Sequence, residues 1–259
     1  MAWNLRRTWG PTSATTNPTL SNTADPAAAG TTLLAVGGAR TATGAVAPPD
    51  LRVNDTDGGV WERIAQSPTG ESTQVAVFLR RNAGGVRSVT LSATNNADGS
   101  GYQLHLFEFD GEVPGDVVVN VVLGESLTIW PPVEVAATPG ALILGAHTVG
   151  VTNRLIGLTD ASAATYSAPS FLASSGQQVR TAMRVATGVE STGPQWEVKP
   201  GGSSSSATSA RLVTVAIAPA TDPGPDPDPD PEPVPSGPVW ARIYDGTVWK
   251  PLAHPTITT

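Results

Sequence analysis

Glu108 and Asp110, in Phe107-Glu-Phe-Asp-Gly111, are the residues of this sequence whose types and spacing come nearest to catalysis. On a β-strand, residues two apart share a face and lie about 6–7 Å from one another. Two carboxylates so placed can divide the acid and base work of glycoside hydrolysis. The same residues also read as a strand running into an Asp-Gly turn, with both acids solvated or bonded locally. That is the reading adopted. Asn54-Asp-Thr-Asp-Gly-Gly59 has the look of a calcium loop. It lacks the third acidic position and the distal glutamate of an EF-hand, so it is read as a turn. The histidines, His105, His147 and His254, form no His-x-His or His-x-x-x-His pair, which leaves a histidine metal centre without support. There is no cysteine for thiol chemistry or a disulfide. Neither a Gly-x-Ser-x-Gly elbow nor a P-loop occurs. The expectation is a protein that is not an enzyme, with no catalytic residue, no metal and no cofactor.

Aromatic side chains offer a different chemistry, that of recognition. Trp130, followed by Pro131-Pro132, ends a strand at a loop. It or Tyr166 could lay an aromatic face against a pyranose ring, and these two are the candidate glycan contacts. Trp61 and Trp196 occupy strand positions that suit core or half-buried packing. Residues 238–251 contain two alternating runs around Asp245-Gly246, a hairpin-turn signal, with Trp240 and Trp249 on opposite arms. A lone hairpin is marginal in water, so it must dock on a partner, on the body of the chain or on another copy. The N-terminal segment, where Trp3 and Trp9 flank Arg6 and Arg7, invites the same argument. Trp3, Trp9, Trp240, Tyr244 and Trp249 are accordingly the candidate docking residues.

Positioning these residues falls to strands. Short apolar or alternating runs bounded by Gly, Pro, Asn and Asp recur at 31–40, 60–66, 74–81, 88–94, 102–109, 116–122, 127–130, 141–149, 178–187, 195–199 and 211–218. In the third run Val75, Val77 and Leu79 share one face, and Ala76, Phe78 and Arg80 the other. Alternation of this kind predicts strands with one wet face per sheet. No stretch keeps a helical apolar period over three turns, and a short helical turn near Thr159–Ala164 is the one helix allowed. The pattern predicts an all-β fold, an antiparallel β-sandwich or jelly roll. Ala29-Gly-Thr-Thr-Leu-Leu-Ala-Val echoes Pro139-Gly-Ala-Leu-Ile-Leu-Gly-Ala, as equivalent strands of one sandwich or as first strands of two half-domains. The segments between them do not match, which favours a single domain.

Residues 1–29 read as an irregular arm, 30–221 as the sandwich domain, 222–238 as an extended linker and 239–259 as a docking tail. Alternating prolines in the linker remove backbone donors and fix φ, so polyproline II is its default. From Pro223 to Pro235 it would span roughly 40 Å. Its Asp222, Asp226, Asp228, Asp230 and Glu232 are 5 of the 22 acidic groups and account for most of the net charge of −7. The remainder is near neutral and has no basic footprint, which argues against nucleic acid and anionic lipid as partners. No apolar run approaches the roughly eighteen residues of a membrane span, and no apolar stretch follows Arg6 and Arg7 as in a secretory signal. A Thr/Ser/Gly-rich chain of extracellular style without an export signal suits a virion protein, made in the host cytoplasm and released by lysis.

The order Ala29-Gly-Thr-Thr-Leu-Leu-Ala-Val, Trp61, Val75-Ala-Val-Phe-Leu-Arg, Ser88-Val-Thr-Leu, Leu106-Phe-Glu-Phe-Asp-Gly and Val213-Thr-Val-Ala-Ile-Ala-Pro resembles a β-sandwich module of minor tail proteins from phages that infect actinobacteria. Ile243-Tyr-Asp-Gly-Thr-Val-Trp-Lys-Pro-Leu is similar to the short aromatic, Asp-Gly and Trp elements that end such proteins. The resemblance covers most of the chain and carries over no catalytic residue. It implies a non-enzymatic virion component at the tail tip or fibre, a homo-oligomer with a trimer favoured. Its terminal segments would join other tail proteins, and it would touch host cell-wall glycan. Two other readings stand beside it: a head decoration or head-fibre protein, and a glycan-binding module or depolymerase of a cell-surface protein.

Overall fold

A computed structural model of the chain describes residues 3–40, 50–67, 73–94, 101–111, 115–124, 128–149, 155–168, 178–199, 210–219, 242–244 and 249–251. The chain divides into two units, Met1–Ala220 and Thr221–Thr259. The first unit is an antiparallel all-β structure, as the apolar patterning predicts. Its first lobe contains β1 (Asn4–Ala14), β2 (Thr19–Ser21), β3 (Thr32–Arg40), β4 (Asp50–Asp55), β5 (Glu62–Gln66), β6 (Thr73–Arg80), β7 (Ser88–Thr94) and β8 (Gly101–Asp110). Its second lobe contains β9 (Val117–Gly124), β10 (Ile129–Trp130), β11 (Val135–Ala137), β12 (Leu142–Val149), β13 (Leu155–Leu158), α1 (Asp160–Ala163), β14 (Gln178–Val185), β15 (Glu190–Thr192), β16 (Trp196–Lys199) and β17 (Ala210–Ile217). In the second unit β18 (Arg242–Tyr244) pairs antiparallel with β19 (Trp249–Pro251), placing Tyr244 opposite Trp249. Trp240 and the Asp245-Gly246 turn lie outside the described residues.

The two lobes repeat one topology. The main sheet of the first runs β1-β8-β3-β6, extended by β5; that of the second runs β9-β17-β12-β14. The smaller sheets run β2-β7-β4 and β10-β16-β13. The weak echo at 29–36 and 139–146 therefore marks equivalent strands, β3 and β12, of the two lobes, which belong to the single unit Met1–Ala220. The repeat extends to turn chemistry. Gly30 and Gly140, each just before the central strand, have φ of 70° and 81°, which L side chains rarely adopt. The residue after each glycine accepts an equivalent backbone bond, from Ala83 N to Thr31 O at 2.9 Å and from Ala186 N to Ala141 O at 2.8 Å.

Three cores separate four layers. Leu33, Ala35, Phe78, Leu104 and Leu106 of the first main sheet pack against Leu51, Val53, Val89 and Leu91 of its small sheet. Leu34, Val36, Val77, Phe107 and Phe109 on its other face meet Leu144, Met183, Val213, Val215 and Ile217 of the second main sheet. Ile143, Ala182, Leu212 and Ala216 then meet Trp130, Val135, Ile156 and Trp196. Both main sheets are thus covered on both faces, and β17 is buried at every residue. This overturns the expectation of one wet face per sheet for the two main sheets; the small sheet β2-β7-β4 keeps it, with Val89 and Leu91 buried and Ser88, Thr90 and Ser92 half-buried on the other face. At about 25 cal/mol per Å² of apolar surface removed from water, stacking the main sheets buries a second face that a lone sandwich would leave wet. Outside the sheets, Thr159 caps α1, its hydroxyl accepting from Ser162 N at 3.4 Å, where the helical turn is expected.

The N-terminal segment is a second correction. Residues 4–14 are a strand paired along β8, not an irregular arm. Gly10 and Pro11 interrupt its alternation, and the ladder shifts register between Leu5 and Arg7 and between Thr8 and Pro11. Trp3 and Trp9 are spent on the chain's own body. Trp3 Nε1 donates to Ile217 O at 3.0 Å, and its ring stands edge-on to Phe109 at 5.1 Å. Trp9 Nε1 donates to Glu108 Oε2 at 3.0 Å.

Candidate functional site

Glu108 is the post to which the N-terminal strand is tied. Its carboxylate is fully buried and receives Arg7 Nε, Trp9 Nε1 and the Ala28 N–H, the last at 2.9 Å. Burial by itself would raise its pKa; these three donors more than offset that and hold the carboxyl below its ordinary value. Asp110 is exposed and takes Asn4 Nδ2 at 2.7 Å and Arg6 Nη1 at 3.2 Å. Both acids are thus bonded to the N-terminal strand, Glu108 from a buried position and Asp110 from an exposed one.

Asp55 is a second buried carboxylate with all its work assigned. Oδ1 accepts from Asp57 N at 2.9 Å and Gly59 N at 3.2 Å, which closes the turn. Oδ2 accepts from Trp61 Nε1 at 2.8 Å and Arg80 Nε at 3.2 Å. Its oxygens are therefore committed to donors rather than presented to a cation. Among the described residues no three of His, Asp and Glu come together as a metal site. A Cβ at Gly59 would lie 1.8 Å from Arg80 Nη2, so a side chain there would have to displace the guanidinium from Asp55.

The result of this bracing is a cleft beside Trp61. β4 is the outer strand of the small sheet and β5 the outer strand of the main sheet, so the first sandwich gapes between them. The cleft has a volume of about 380 Å³, at the small end of the range for ligand sites. Leu51, Val53 and Phe78 form its apolar base, Trp61 one wall, and Asp50, Arg52, Asn54 and Arg63 the polar rim. Asp50 is forked between two cations, Arg63 Nη1 at 2.6 Å and Arg52 Nη2 at 3.2 Å. The Arg63 hydrogen bond is the chief reason its pKa lies below the ordinary carboxylate value; burial, the next largest cause, opposes it, and Arg52 adds to the lowering. An indole edge fixed by Asp55 and a rim of planar donors and acceptors make a surface that can hold an apolar ring face and bond its hydroxyls.

Neither predicted glycan residue is available for that task. Trp130 is fully buried, its ring 4.6 Å from His147, which in turn stacks on Trp196 at 5.6 Å. The Pro-Pro after it signals a loop, but the side chain points into the third core. Tyr166 is 6% exposed, hydrogen-bonded to Thr192 Oγ1 at 3.0 Å, with the Arg184 guanidinium 5.0 Å over its ring. Tyr166 is also the positional equivalent of Trp61. Ser167 bridges Met183 in the second lobe as Glu62 pairs with Leu79 in the first, and each aromatic residue directly precedes its bridging residue. One lobe seals this place and the other leaves it open. Trp61 is half-buried, within the core or half-buried packing expected of it; what sequence reasoning overlooked was its part in a cleft, signalled by Asp55, six residues earlier, able to hold the indole from across the turn.

His105 and His147 are buried in the sheets. Burial first, and the nearby Arg180 second, push both down to about 3, so each is neutral near pH 7. Comparison of the chain with protein-family models, curated proteins and solved structures returned no match.

Proposed function

We propose that this chain is a non-enzymatic structural component of a bacteriophage virion, a minor tail protein at the tail tip or fibre, which meets host cell-wall glycan at the cleft beside Trp61. The single observation behind the host contact is the difference between the lobes. A duplicated sandwich has filled one aromatic position with Arg184 and Thr192, and keeps the other as an open, braced cleft. The non-catalytic role draws support from Glu108 and Asp55, whose carboxylates are taken up by structural donors. Placement in a tail draws on the resemblance of the strand motifs and the terminal Trp element, and the second unit is the segment available to join neighbouring virion proteins.

The test is binding of the full chain to purified actinobacterial cell-wall polysaccharide, by calorimetry and by sedimentation with cell walls. Trp61→Ala should weaken binding at least about tenfold, the loss of roughly one aromatic contact, while Trp130 variants act only through stability. Undiminished binding by Trp61→Ala would remove the cleft from the reading. Release of reducing sugar would make the chain a depolymerase, and antibody labelling of the capsid rather than the tail would make it a head protein.

A further inference from the structure

The two main sheets end in four outer strands, and three of them are guarded. β1 is bulged twice and carries Arg6, Arg7 and Pro11. β5 is bulged between Arg63 and Ala65 and carries Glu62 and Arg63. β14 carries Arg180 and Arg184, and Ser167 bridges its outer side at Met183. Charges, prolines, bulges and covering bridges are the means by which sheet edges avoid pairing with other chains. β9 has none of them. Its eight residues, Val117-Val-Val-Asn-Val-Val-Leu-Gly124, pair in unbroken register with β17 on one side. Among the described residues no strand pairs with the other side. Val118, Val119 and Val122 are 44%, 38% and 36% exposed. An uncharged, regular, valine-rich edge of this length is an interaction surface by its chemistry.

We propose that β9 pairs with β9 of a second copy of this chain, antiparallel about a two-fold axis through Asn120. The strand is a near-palindrome about that residue. Two-fold pairing there sets Val119 against Val121, Val118 against Val122 and Val117 against Leu123. Asp116 of each copy then meets Gly124 of the other, so no like charges oppose. Slipping the register by two residues would instead put Asn120 opposite a valine. A strand from an unrelated partner would need only apolar residues, whereas the palindrome is what a self-complementary, two-fold interface requires. Asn120 Nδ2 already donates to Glu134 O at 2.9 Å, which holds the centre of the strand in place. The pair joins two four-stranded sheets into one of eight strands. This holds whether or not the chain belongs to a virion.

The absence of cysteine makes the register directly testable. Paired Cα atoms across an antiparallel ladder lie about 4.5–5.5 Å apart, within disulfide range. Asn120→Cys in the full chain should therefore oxidise to a covalent dimer. Val118→Cys should not, since residue 118 faces residue 122 of the other copy. In sedimentation equilibrium the wild-type chain should be a reversible dimer. Val118→Lys with Val122→Lys, which opposes like charges twice, should weaken it at least about tenfold. Val118→Lys with Val122→Glu should restore association in a salt-sensitive form, and also shows that charge here does not unfold the chain. A wild-type chain that stays monomeric overturns the proposal, including the case where amides 117–123 are protected because the chain's own 242–251 hairpin occupies the edge. A trimer, or equal cross-linking at 118 and 120, overturns it as well.

Discussion

Lowering the pH from 7 to 5 should destabilise the first unit by about 4 kcal/mol, through two histidines. His105 and His147 have no exposed surface. Both are held near pKa 3 in the fold, against about 6.5 in an unfolded chain. Between those values the unfolded chain binds the proton and the folded chain does not. Stability is therefore complete above about pH 6.5 and falls as pH drops through the window toward 3. For one histidine with these two values the loss from pH 7 to 5 is about 2 kcal/mol. The pair loses twice that, a large part of the 5–15 kcal/mol typical of a domain. Asp50 and Glu108 contribute little in this range, because their pKa values lie below the ordinary carboxylate value and their stabilisation is lost only in stronger acid. Urea denaturation of the wild type and of His147→Leu at pH 7, 6 and 5 measures the effect. Neither ring nitrogen of His147 has a hydrogen-bond partner among the described residues. Leucine should therefore be no less stable than histidine at pH 7, and should show about half the wild-type pH dependence. A wild type equally stable at pH 7 and 5, or a His147→Leu chain with the full wild-type loss, would refute the reasoning.

Other residues make sharper local predictions. Glu108→Ala strands Arg7, the Trp9 N–H and the Ala28 N–H and should cost about 3–5 kcal/mol in denaturant titration; Glu108→Gln, which keeps the shape, should cost less. Asp55→Ala should cost about 2–4 kcal/mol, speed amide exchange at residues 55–61, and weaken any ligand of the Trp61 cleft. Gly145→Ala would place a Cβ 2.1 Å from Pro194 Cγ. It should lower stability by about 1–3 kcal/mol, read as a drop in melting temperature.

The central strands were legible because their apolar runs are long and their bounding turns carry Gly, Pro or Asp. β3, β6, β8, β12 and β17 all fall where patterning puts them. β4 was missed, since only Leu51 and Val53 face inward and the strand is short. β1 was missed because Gly10 and Pro11 read as breakers, whereas at a bulged edge they are tolerated. The double burial of the main sheets is a fact about how two lobes stack, and local alternation carries no trace of the partner face. The cleft was illegible for the same reason. That β4 and β5 are outer strands of different sheets depends on pairings tens of residues apart. Trp130 misled because the Pro-Pro after it describes the backbone, while its burial is decided by His147 and Trp196 from distant strands.

The bond from Trp3 to Ile217 has a mechanical meaning. The chain enters the first unit and leaves it at one spot, so a pull on either end loads the same corner of the fold. A force applied at residues 3 and 217 would act across that one corner rather than along the length of the sheets. The unit could be circularly permuted by joining 3 to 217 with a short bridge and opening an exposed turn elsewhere. It could equally be inserted into a loop of another protein with little disturbance to its host.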